Sequence, residues 1–100
     1  MPEDNDAKML EQLTYAFGDL QYKYRYSTPL DRANMRPALE EAFGLYQSYR
    51  IMLLGGAVIT TEQDLEEMRS IRDQIDRAAT TQGLIESAIN LAGFLRPLLI

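Results

Sequence analysis

The chain has 100 residues, 15 acidic and 10 basic, a formal charge of −5, and no histidine, cysteine or tryptophan. Cys/His zinc sites, cysteine nucleophiles and histidine acid–base catalysis within one chain are therefore excluded, as is the Glu-x-x-His motif of di-iron bundles. With 46% hydrophobic and 25% charged residues the composition is that of an ordinary globular chain. The length suits one domain over residues 1–100, and a chain this small buries only roughly 60–70% of its unfolded surface, so self-association would help it.

Leu10, Leu13, Phe17, Leu20 and Tyr24 recur at steps of three and four, the apolar seam of a helix that starts near Asp4–Asp6 and ends around Tyr26. Thr28 reads as an N-cap, Pro29 as the first helical residue and Asp31 as an acidic partner in a capping box. Pro37 removes a backbone donor and disfavours helical geometry at Arg36, which predicts a short helix over 29–35 and a longer one over 37–54. The longer one buries Leu39, Ala42, Phe43, Tyr46, Tyr49 and Leu53 and ends at Gly55-Gly56.

Thr60 or Thr61 starts the next helix, with Glu62 and Asp64 in its first turn and Leu65, Met68, Ile71, Ile75 and Ala78 along one face. If one helix ran on, that face would lie roughly 140° from the face of Leu84, Ala88, Leu91, Ala92 and Leu95. A break near residues 80–84, at Thr80, Thr81 and Gly83, and a last helix over 84–96 resolve the slip. One unbroken helix would instead turn its second face toward another subunit. The expected fold is all-α, a small antiparallel bundle of three long helices with a short kinked lead-in to the second.

Asp64-x-x-Glu67 and Asp73-x-x-Asp76 have the spacing that helical Mg²⁺-dependent hydrolases use, which makes such an enzyme one alternative. Both pairs lie on one helix among Arg69, Arg72 and Arg77, however, and i,i+4 pairing into a solvated charge ladder accounts for them. No catalytic set, metal site or cofactor is expected, and the protein is read as non-enzymatic.

Charge is uneven. Residues 1–20 sum to −4, whereas residues 21–36 sum to +3 through Lys23, Arg25, Arg32 and Arg36. Tyr22-Lys23-Tyr24-Arg25-Tyr26 interleaves aromatic and basic side chains, the pattern of an anion, nucleotide or nucleic-acid site, a second alternative. The net charge opposes approach to a polyanion, and cations in a last helical turn are favoured by the helix dipole. The four basic residues are better read as steering an acidic partner.

Tyr15, Tyr22 and Tyr26 fall within about 40° of one another, opposite the Leu10 seam, with Asp19 between them and Gly18 at the edge. Tyrosine tolerates a wet surface, yet it is also enriched at contact cores. With Leu84, Ala88, Leu91 and Leu95, these residues make the candidate interaction face for a homo-oligomer, most simply a dimer, or for a helical protein partner. The expected role is that of an adaptor, regulatory or assembly protein.

The apolar stretch Ile51–Ile59 is expected to tuck in, with Val58 and Ile59 closing the bundle's end. The longest uncharged run, Ile51–Thr61, is too short to span a membrane, and a single arginine in 84–100 argues against a membrane-surface helix. An acid-rich start and the absence of cysteine fit a cytoplasmic location.

Overall fold

Four helices form where apolar periodicity and capping residues coincide: α1 Pro2–Arg25, α2 Pro29–Leu54, α3 Glu62–Arg77 and α4 Thr81–Leu98. The computed structural model describes residues 2–56 and 60–99, and among them there is no strand. The expectation about Val58 and Ile59 falls outside the described residues.

Each of the last three helices opens on a threonine that fills an orphan backbone donor. Thr28 Oγ1 accepts from Asp31 N at 3.2 Å, Thr61 Oγ1 from Asp64 N at 3.1 Å and Thr80 Oγ1 from Gly83 N at 3.0 Å. The box is complete at Thr61, whose own N–H donates to Asp64 Oδ2 at 3.1 Å. At Thr28 only the threonine's half of it is present. The left-handed turn after α2 sits at Gly56, with φ of +72°, while Gly55 stays in the right-handed region.

Pro37 does not divide α2, which runs unbroken from Pro29 to Leu54. The reason lies in the faces it joins. Met35 and Ala42, on either side, are buried in the common core, so continuity of the helix keeps both seated. Ala33 and Pro37 are exposed, so the carbonyl that loses its donor lies on the wet side, where water can replace the lost bond. The last helix begins at Thr81, three residues before the expected start, because Thr80 is its N-cap. It also runs one residue past Pro97.

Consecutive helices run antiparallel, but the heaviest packing is between parallel pairs, α1 with α3 and α2 with α4. At one end Asn5 Nδ2 donates to the Thr60 carbonyl at 3.2 Å, and Thr60 N donates to Asp6 Oδ1 at 2.8 Å. At the other, Lys23 Nζ reaches the last turn of α3. Helices α1 and α3 therefore lie side by side in the same direction. Helices α2 and α3 lie diagonally opposite, giving the spatial order α1, α3, α4, α2 around an elongated molecule of 43 × 21 × 19 Å.

One core serves all four helices. Phe17 stacks on Tyr46 at a centroid distance of 4.6 Å, with Phe43 tilted beside it at 6.1 Å. Met9, Leu13 and Leu20 of α1, Met68 and Ile75 of α3, and Leu91 and Leu95 of α4 complete it. Because the chain reverses at 78–80, the faces of α3 and α4 that were out of phase both turn inward. Leu84 is 6% exposed and Ala88, Leu91 and Leu95 are sealed from solvent. This corrects their assignment to an interaction face: each leucine contributes roughly 1.5–3 kcal/mol by burial within its own chain.

Candidate protein interaction face

On the solvent side of α1 the tyrosines stand as their spacing predicts. Tyr15 is 63%, Tyr22 62% and Tyr26 74% exposed, unusual values for the largest apolar bodies in the chain. Tyr22 and Tyr26, one turn apart, lean on each other with centroids 4.8 Å apart and planes at 45°. Tyr15 is held from α3, where the Arg72 guanidinium lies 4.1 Å above its ring and donates to Gln12 Oε1 at 2.9 Å. Leu30, Ile51, Leu54 and Ile89 are also exposed, but no other large aromatic ring is exposed among the described residues.

Gly18 lies at the edge of this side, and nothing approaches within 4 Å of the position a Cβ would occupy. The fold of a single chain does not require glycine here, although glycine inside a helix costs about 1 kcal/mol relative to alanine. With Ala7, Leu10, Glu11 and Thr14 it lines a shallow, mainly apolar depression that continues to Tyr15, Asp19 and Asp76. Gly44 and Gly93 are equally open, without such neighbours.

The basic segment is dispersed by the fold. Lys23 does not face outward: its ammonium donates to the carbonyls of Ile75 at 2.7 Å, Asp76 at 2.9 Å and Ala78 at 3.2 Å, and lies 3.7 Å from Asp19. All three of its N–H donors are satisfied by the end of α3, where a cation meets the negative pole of the dipole. This corrects its place among the steering charges, and it removes Asp19 from the face as a free carboxylate. Arg36 Nε donates to Tyr24 Oη at 3.3 Å, a bond that raises the arginine's pKa. Arg32 is half-buried, and Arg25 is exposed, with no ion pair or hydrogen bond among the described residues.

The acidic pairs of α3 do not converge. Asp64 serves the cap of its own helix, and no group of three or more carboxylates that could hold a metal ion occurs among the described residues. None of the expected i,i+4 bridges among Arg69, Arg72, Asp73, Asp76 and Arg77 forms there either, Arg72 having turned to Tyr15 and Gln12.

No protein-family model, curated protein or solved structure matches the chain. No helix of the described residues is long and apolar enough to cross a membrane.

Sequence reasoning missed a groove between α1 and α2, floored by Phe17, Leu39 and Phe43 and edged by Tyr24, Arg36 and Glu40. Its residues come from two helices whose register only the fold supplies. A cavity of about 230 Å³ lies below the roughly 300–1,000 Å³ of most small-molecule sites.

Proposed function

We propose that the protein is a non-enzymatic interaction module, an adaptor, regulatory or assembly component of the cytoplasm, and that the outer side of α1 is its contact face. The observation that carries this reading is the exposure of Tyr15 and Tyr22 on α1 together with Tyr26 in the turn that follows it. Three rings held in water forgo several hundred Å² of apolar burial, which a second helical surface recovers at little entropic cost because two of them already brace each other and the third is pinned by Arg72. Anion binding through residues 21–36 draws less support, since Lys23 is consumed by α3 and the remaining basic residues are not brought into one site. A hydrolytic role for the acids of 64–76 draws none from their placement.

A photo-crosslinking residue at position 22 tests the reading in cells that make the protein, with the exposed position 48 on α2 as control. The expected result is one adduct of discrete mass from position 22 and none from 48. Absent or equal labelling at the two positions contradicts it.

A further inference from the structure

We infer that the occupant of this face is a second copy of the chain, an inference that rests on the interaction reading above: two α1 helices pair antiparallel about a two-fold axis at Gly18. Glu11, Gly18 and Arg25 are spaced by seven, almost two helical turns, and so form one line along the outer side of α1. Glu11 and Arg25 are both exposed, and neither has an ion pair or hydrogen bond among the described residues. They carry opposite charges at equal distances, roughly 10 Å, to either side of the glycine. An antiparallel copy sets each Arg25 against the partner's Glu11, twice by symmetry, whereas a parallel copy sets like charge on like.

The residues flanking the line agree with the same axis. Tyr15 and Tyr22 lie on one side of it, straddling Gly18, so the two-fold brings Tyr22 of each copy beside Tyr15 of the other. The face of the Tyr15 ring away from Arg72 receives it as an aromatic pair. The depression that runs past Gly18 toward Asp19 and Asp76 takes, along its Ala7, Leu10 and Thr14 edge on the opposite flank, the aliphatic stem of the partner's Arg25. Gly18, with open space where a Cβ would stand, lets the two backbones approach at the crossing. Gly44 and Gly93 lack this setting: seven residues before and after Gly44 stand Pro37 and Ile51, and before Gly93 stands Glu86. The exposed part of three tyrosines is about 300–500 Å², and the depression adds to it, against the roughly 800 Å² each partner gives to a standard interface. A dimer at the weak, concentration-dependent end follows.

Sedimentation equilibrium of the purified full chain tests this across a wide concentration range. The mass is expected to rise from 11.4 kDa toward twice that value. Glu11→Arg and Arg25→Glu should each weaken association about tenfold, and the double variant should return close to the parent. Gly18→Leu should abolish association while the helical circular dichroism stays that of the parent, since the new side chain meets nothing in its own chain. A dimer indifferent to both single charge reversals, or a double variant no better than the singles, overturns the inference. So does a single-chain mass at every concentration, which leaves the interaction reading to the crosslink at position 22.

Discussion

Lys23 Nζ lies 2.7 Å from the carbonyl oxygen of Ile75, and this bond, with those to Asp76 and Ala78, ties the end of α1 to the end of α3. A charged donor shared by three carbonyls at a helix end contributes about 1–2 kcal/mol once partial exposure is allowed for. Lys23→Met is expected to lower the melting temperature by roughly 4–16 °C in thermal unfolding. Lys23→Arg should not restore it, because a planar guanidinium cannot aim at three converging carbonyls. An unchanged melting temperature in Lys23→Met contradicts the assignment.

Tyr49 and Thr60 carry buried hydroxyls without a hydrogen-bond partner among the described residues. Burial raises the Tyr49 pKa above its ordinary value. With the folded pKa above the unfolded one, the associated stability is intact below about pH 10 and is lost as pH rises through the folded value. Tyr49→Phe should be as stable as the parent or slightly more so at neutral pH, since it removes an unsatisfied polar atom. It should also lose less stability under denaturant titration at alkaline pH, and parallel alkaline curves would contradict this.

Pro37 sits in the interior of α2 without a donor for the Ala33 carbonyl. Pro37→Ala is expected to stabilise the chain by about 1 kcal/mol or more, the helical gain exceeding the entropy that proline removes from the unfolded state. Denaturant midpoints measure it, and a destabilised variant would mean that the ring packs where it now stands exposed.

Leu91 is sealed inside the chain, so Leu91→Ala should cost about 2–5 kcal/mol, whatever the protein concentration. A loss confined to concentrated samples would return the face of α4 to an interface between subunits.

Much of this architecture is written in local pattern. The α1 seam, the threonine caps and the phase slip between Ile75 and Leu84 each depend on residues within a few turns, and each is realised. Pro37 misleads because its penalty is local whereas the packing of Met35 and Ala42 that outweighs it is tertiary. The basic segment misleads for the same reason: charge and spacing are visible along the chain, but nothing in them says that the end of α3 arrives beside Lys23, or that Arg72 turns to Tyr15 rather than to Asp76. The tyrosine face was legible because it needs only the helical period, and Gly18 gains its meaning only once the space around it is known to be open.

The central claim is that Tyr22 and Tyr26 are covered when the protein is at work. Hydroxyl-radical footprinting measures this directly by comparing the isolated dilute chain with the protein inside cells, with exposed Ile51 as the internal reference. The account predicts that both tyrosines become protected in cells while Ile51 does not. Equal reactivity of Tyr22 and Tyr26 in the two settings would contradict it.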